Sequence, residues 1–219
     1  MTIRVLVADD QSMVRAGFRM LLKGEPGIEV VAEAEDGLEA VEKSARFQPN
    51  VVLMDIRMPK LDGLEATRRI LAADEQIRIL ILTTFDLDEY IYEALQAGAS
   101  GFVLKDDPPE QLLEAIRTVA AGDALLSPSV TKRVIRQFTR LPRRTPPKAL
   151  DDLTAREHDV LRLLARGLSN AEIGEQLHIG ETTVKTHVTR VLQKLDLRDR
   201  AQAIVLAYRS GLFAGDERA

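Results

Sequence analysis

Five short apolar runs, each followed by a stretch with helical spacing, fill the first half of the chain. The runs are Ile3 to Ala8, Ile28 to Ala32, Val51 to Met54, Arg78 to Leu82 and Gly101 to Leu104; the amphipathic stretches start near Ser12, Gly37, Gly63, Leu87 and Pro109. Apolar residues in these runs are continuous rather than alternating, as suits strands covered on both faces. Strand and helix alternate five times, so the pattern predicts an α/β, doubly wound (βα)5 domain with a parallel sheet over residues 1–123.

The character changes at Ser127-Pro128, a cap followed by a first-turn proline, which predicts a helix to about Arg140. Leu141-Pro142-Arg143-Arg144-Thr145-Pro146-Pro147 cannot continue it, because three prolines remove amide donors and hold the chain extended. Residues 124–150 therefore read as a linker helix and a Pro/Arg-rich linker. Beyond them, Thr154-Ala155-Arg156-Glu157 and Ser169-Asn170-Ala171-Glu172 fit the capping-box pattern. Four helices are predicted at about 154–165, 169–177, 181–195 and 200–210. Residues 151–215 thus form a small all-α domain.

A length of 219 residues accommodates two domains with separate cores. The absence of cysteine excludes disulfides and thiolate chemistry. The first apolar run reaches Asp9 too soon for a signal peptide, and no later run approaches a membrane span, so the expectation is a soluble, cytoplasmic protein. The net charge of -4 hides an asymmetry: residues 1–131 hold 13 Lys and Arg against 23 Asp and Glu, residues 132–147 hold 6 against none, and residues 148–219 hold 11 of each. An acidic front half meets a basic hinge, and any positive face in the tail must be local.

In open α/β sheets, ligands bind outside the carboxyl ends of the strands, so polar residues there carry the most information. The first strand ends in Asp9-Asp10, the third in Asp55, the fourth in Thr83 and the fifth in Lys105. Three adjacent carboxylates repel unless a cation balances them, and Mg2+ suits oxygen ligands while leaving room for water and phosphate. Lys105 supplies a point charge for a phosphate oxygen and Thr83 a hydroxyl donor. Asp55 can then act as a nucleophile toward phosphorus, since phosphoryl transfer depends chiefly on positioning and charge neutralisation.

Val7-Ala8-Asp9-Asp10, Leu53-Met54-Asp55-Ile56-Arg57-Met58-Pro59, Leu82-Thr83 and Val103-Leu104-Lys105 together resemble the motif set of bacterial receiver domains. The resemblance implies that Asp55 is the phospho-acceptor and that Asp10, Asp55 and the Arg57 backbone carbonyl bind Mg2+, with Asp9 assisting through water. It also implies that Thr83 and Lys105 contact the phosphoryl oxygens and that Phe102 holds the aromatic switch position. Two residues depart from the usual pattern. Asp106 follows Lys105 where many receivers have a proline, so no cis peptide is expected there. Phe85 is a bulky group near the path of a hydrolytic water, which suggests slow self-dephosphorylation.

In the tail, a helix from Glu181 to Leu195 places Val184, Val188, Val191, Leu192 and Leu195 in one stripe. Thr182, Thr186, Arg190 and Gln193 face away, flanked by Lys185 and Thr189. With the preceding helix and the short link His178-Ile179-Gly180, this is a helix-turn-helix pattern. Leu153 to Glu157, Gly167 to Ile173 and Thr183 to Val188 resemble the LuxR-type domain of the NarL/FixJ family. The resemblance assigns base contacts to Lys185, Thr186 and Thr189 and phosphate contacts to Thr182, Thr183, His187 and Arg190. With three scattered histidines, no zinc site is expected. Ala201, Ile204, Val205 and Tyr208 give the last helix more apolar surface than so small a domain needs, which predicts a two-fold pairing surface for a homodimer on double-stranded DNA, with packing inside the monomer's own core as the alternative.

These features point to a transcriptional response regulator of a two-component system, not an enzyme, phosphorylated by a sensor histidine kinase and dependent on Mg2+. Two other classes share parts of the pattern. A Mg2+-dependent phosphohydrolase would need a general acid near Asp55, a role Arg57 cannot fill. A regulator of the same architecture that answers to a ligand would have no use for the complete Asp-Asp-Asp-Thr-Lys set.

Overall fold

The structure is a computed structural model that describes residues 2–83, 87–105, 107–122, 148–210 and 212, with backbone only at 87–89, 91 and 92. The expected linker helix, the Pro/Arg-rich linker, Phe85 and Asp106 lie outside the described residues. The chain divides into two compact units, one within residues 1–125 and one within 126–219.

The first unit alternates β1 (Ile3–Ala8), α1 (Ser12–Lys23), β2 (Ile28–Ala34), α2 (Gly37–Phe47), β3 (Val51–Asp55), α3 (Gly63–Ala73), β4 (Arg78–Thr83), α4 (Leu87–Ala97), β5 (Gly101–Leu104) and α5 (Pro109–Ala120). All strand pairs are parallel, in the order β2-β1-β3-β4-β5. Val5, Val7, Leu53, Leu80, Leu82 and Val103 share a core with Leu112, Ile116 and Val119 of α5 and with Leu22 of α1. The alternate residues Leu6, Val52, Met54, Ile79 and Ile81 are also buried. Burial on both faces is the physical reason for the unbroken apolar runs.

Strand β2 continues to Ala34, two residues past its apolar run. Glu33 and Ala34 pair with Val7 and Ala8 of β1, and the Glu33 carboxylate is held by Arg19 at 2.8 Å and by Arg15 at 3.8 Å. Backbone pairing extends an edge strand that side-chain pattern alone would stop.

The described residues of the second unit form a 3-10 turn (Lys148–Asp152), α6 (Ala155–Ala165), α7 (Asn170–Leu177), α8 (Glu181–Lys194) and α9 (Arg200–Arg209). Both capping boxes form: Thr154 with Glu157 and Ser169 with Glu172 exchange side-chain and backbone bonds. Glu157 is buried and also accepts from Lys194 Nζ at 2.7 Å, while the same ammonium donates to the Asp152 carbonyl at 3.0 Å. One carboxylate thereby ties the end of α8 to the start of α6.

The Lys194 ammonium and then the Thr154 amide hold the Glu157 carboxyl at a pKa of about 2, against burial. Because the folded value lies below the unfolded one of about 4.5, this contribution to stability is complete above pH 4.5 and is lost as the pH falls toward 2. Glu157→Gln is expected to lower the stability of this unit at neutral pH and to flatten its decline in that acid window. Urea unfolding followed by the amide signals of α6 at several pH values checks both.

Candidate functional site

The chain reverses its order across the sheet between β1 and β3, which opens a crevice at their carboxyl ends. Asp9 and Asp10 follow β1 there, and Asp55 ends β3. One oxygen from each of these three carboxylates lies within 4.8 Å of the others. Asp9 and Asp55 are buried and Asp10 is exposed, so two carboxylates line the floor and one stands at the mouth. Thr83, also buried, ends β4, and the Lys105 amide donates to its carbonyl at 2.8 Å. The five residues expected at one sheet edge therefore do converge.

Lys105 Nζ lies 2.7 Å from Asp9 Oδ2 and 3.0 Å from Asp55 Oδ1. Burial disfavours this ammonium, but the two carboxylates outweigh it and hold the Lys105 pKa above the ordinary lysine range. Burial pushes the Asp55 carboxyl upward; Lys105 opposes the shift and the Asp9 charge adds to it. One ammonium thus faces three carboxylates, a deficit that a divalent cation would fill. Asp9 Oδ1 accepts from the Gln11 amide at 2.9 Å, whereas the fully buried Oδ2 has no hydrogen bond of good geometry among the described residues. It is held instead by the charge of the Lys105 ammonium at 2.7 Å. Charge balance and the cluster of carboxylate oxygens both fit a hard cation with oxygen ligands.

The loop after Asp55 is closely fitted. The Gly63 amide donates to the Ile56 carbonyl at 2.8 Å, and a Cβ placed on Gly63 would lie 1.9 Å from the Asp55 carbonyl oxygen. Only glycine lets α3 start this near the end of β3. The sequence does not mark this role, since a glycine opening a helix reads as an ordinary start. The Arg57 guanidinium extends outward to Tyr90 of α4, 5.6 Å from the ring centroid, and donates to its hydroxyl at 3.2 Å. Phe102 on β5 is buried.

In the second unit, Val184, Val188, Val191 and Leu195 are buried and Leu192 is half-buried, while Thr182, Thr183, Lys185, Thr186, Thr189 and Arg190 are exposed. Valine packing thus turns one polar face of α8 outward. Thr186 and Thr189 donate their hydroxyls to the carbonyls of Thr182 and Lys185, each at 3.0 Å. With the donor so committed, each oxygen is left to accept. His187 is half-buried, and its buried Nδ1 has no hydrogen-bond partner among the described residues. Gly174 meets the Ile179 carbonyl so closely that a Cβ would lie 2.7 Å away, and His178 takes a left-handed conformation (φ 54°) that ends α7. Together they set the tight turn between the two helices.

The last helix uses most of its apolar surface within the chain. Ala201, Ile204 and Val205 are buried within the single chain, where α9 packs on α6 and α8, and Tyr208 alone of the four is half-exposed. Apolar positions that seemed surplus for a small domain are used in its own core, because a three-turn helix across two others buries most of its circumference.

Residues 5–117 match the response regulator receiver domain, and residues 151–207 match the bacterial regulatory proteins of the luxR family. The chain is 43% identical over 211 residues to the transcriptional regulatory protein YxjL of Bacillus subtilis, covering 96% of this chain and 97% of that protein. It is 40% identical over 222 residues to the transcriptional regulatory protein DegU of Brevibacillus brevis, covering 95% and 94%. Among solved structures it is similar to the response regulator ChrA of a heme-sensing two-component system, at 37% identity and a TM-score of 0.53, over 96% of this chain and 98% of that one. A two-component response regulator of the LuxR family from Aurantimonas sp. SI85-9A1 is also similar, at 37% identity and a TM-score of 0.59, over 64% of this chain and 100% of that one. Among the described residues, no helix is long and apolar enough to cross a membrane.

Proposed function

The chain belongs to the two-component response regulators that join a receiver domain to a LuxR-type DNA-binding domain, and from that premise we propose that Asp55 is the residue through which it is switched. The supporting observation is the convergence of Asp9, Asp10, Asp55, Thr83 and Lys105 at one sheet edge, with Lys105 in contact with two of the carboxylates. Asp55 attacks the phosphorus of a phosphohistidine on a sensor histidine kinase. The new bond from its carboxylate oxygen to phosphorus forms as the nitrogen–phosphorus bond breaks, and the electron pair stays with the departing imidazole. Lys105 follows the charge to a phosphoryl oxygen, and the Thr83 hydroxyl donates to another.

Asp10, Asp55 and the Arg57 carbonyl would hold Mg2+, with Asp9 assisting through water. When bound, that ion neutralises carboxylate and phosphoryl charge. Phe102 and Thr83 carry the change away from the site. The modified protein binds double-stranded DNA as a homodimer, with Lys185, Thr186 and Thr189 on base edges and Thr182, Thr183, His187 and Arg190 on phosphates. Tyr208 is the remaining surface candidate for the pairing. The protein works in the cytoplasm and acts as a regulator rather than as an enzyme.

Incubation with acetyl phosphate and Mg2+ should add one phosphoryl group to the intact protein, read by mass spectrometry. The modified form should bind DNA selected from a random pool more tightly than the unmodified form. Modification without any change in DNA affinity would sink the link between the two domains, and steady turnover of small phosphoesters would favour a phosphohydrolase.

A further inference from the structure

Lys60 lies in the left-handed region, at φ 62°, where glycine sits without strain and a lysine does not. Its ammonium is 2.5 Å from Asp36 Oδ2. Asp36 is buried and caps α2, its Oδ1 accepting from the Glu39 amide at 2.9 Å. Beside it, the Gly37 amide donates to the Leu61 carbonyl at 3.2 Å, and a Cβ on Gly37 would stand 2.3 Å from that oxygen. The start of α2 is thus seated on Lys60 and Leu61, in the later part of the loop that runs from Asp55 to Gly63. At its far end the loop is closed by the Gly63 amide on Ile56.

We propose that the Lys60–Asp36 ion pair is a clamp that sets the path of residues 56–62, and that Lys60 is a positioning residue for the cation site through the Arg57 carbonyl carried on that loop. The inference rests on the reading of Asp10, Asp55 and Arg57 as Mg2+ ligands. Two of the three ties to the loop are backbone bonds that any chain with these glycines makes. The third uses a side chain from a strained backbone position to reach the buried carboxylate that caps α2. A lysine free in solvent would gain nothing from that conformation. The Lys60 ammonium has no lone pair to offer a cation, so its influence passes through the backbone.

The test is calorimetric titration of the full-length protein with Mg2+, alongside its thermal midpoint. Lys60→Gly relieves the left-handed strain and removes the clamp; it should stay folded and bind Mg2+ about fivefold more weakly. That is less than the roughly tenfold or greater loss typical of a direct supporting partner, because a backbone segment intervenes. Asp36→Asn keeps a good helix cap and should show the same loss, while Lys60→Arg should restore most of the affinity. A clamp with only a structural role would lower the thermal midpoint and leave Mg2+ affinity where it was. Asp10→Asn separates the possible failures. If Asp10→Asn abolishes binding while Lys60→Gly and Asp36→Asn leave it unshifted, the clamp is overturned and the site stands. If Asp10→Asn leaves binding unchanged, the site is overturned and the clamp with it.

Discussion

Asp55→Asn is expected to abolish incorporation of a phosphoryl group from acetyl phosphate, because an amide oxygen carries no negative charge to attack phosphorus and cannot form a stable acyl phosphate. The same substitution should leave the fold intact or slightly stabilised. Asp55 is buried among like charges, and burial already pushes its carboxyl above the usual range, so an uncharged isostere relieves a cost that the folded state bears. Lys105 would keep its contact with Asp9 at 2.7 Å. Intact-mass measurement after acetyl phosphate treatment and a thermal melt give the two readouts. Undiminished phosphoryl incorporation in Asp55→Asn would shift the acceptor to Asp9 or Asp10. Loss of the fold would mean that the Asp55–Lys105 pair stabilises the crevice more than the clustered carboxylates strain it.

The parts of this site legible in the sequence are those fixed by one-dimensional pattern. An apolar run buried on both faces must end where polar residues appear, so Asp9, Asp55, Thr83 and Lys105 mark strand ends without reference to coordinates. Helix starts at Ser12, Gly37, Gly63, Leu87 and Pro109 follow for the same reason. What escapes the pattern depends on distance between segments. Gly63 looks like any helix-opening glycine until its 1.9 Å approach to the Asp55 carbonyl is seen. Lys60 looks like a surface charge until its positive φ and its buried partner are known. Three of the four dimer candidates show the opposite limit. Ala201, Ile204 and Val205 have the composition of an interface, but composition does not say whether the neighbour that covers them is a second copy or the same chain, and here the same chain covers them.

The polar face of α8 yields the second large expectation. Lys185 is exposed and, among the described residues, pairs with Glu181 one turn away, at 3.1 Å, and an exposed pair of that kind is cheaply given up. Lys185 can therefore exchange its carboxylate for a guanine edge with little loss. Lys185→Ala should weaken binding to the selected site by about 1–3 kcal/mol, roughly fivefold to 150-fold, and relax the base preference at one position. Arg190→Ala should act differently. If its guanidinium meets phosphate, affinity falls for all sequences alike and the slope of log affinity against log salt decreases by about 1. Thr186 and Thr189, whose hydroxyl protons are already held by their own helix, should favour bases that present an amino donor, so Thr186→Val should cost most at an adenine or cytosine. Titrations of the phosphorylated protein on matched and mismatched duplexes at several salt concentrations resolve these patterns. A uniform loss with a reduced salt slope for Lys185→Ala would move that residue from the base edge to the backbone. The reading frame of the helix would then turn toward Thr182 and Thr186, which lie a full turn apart on the same exposed face.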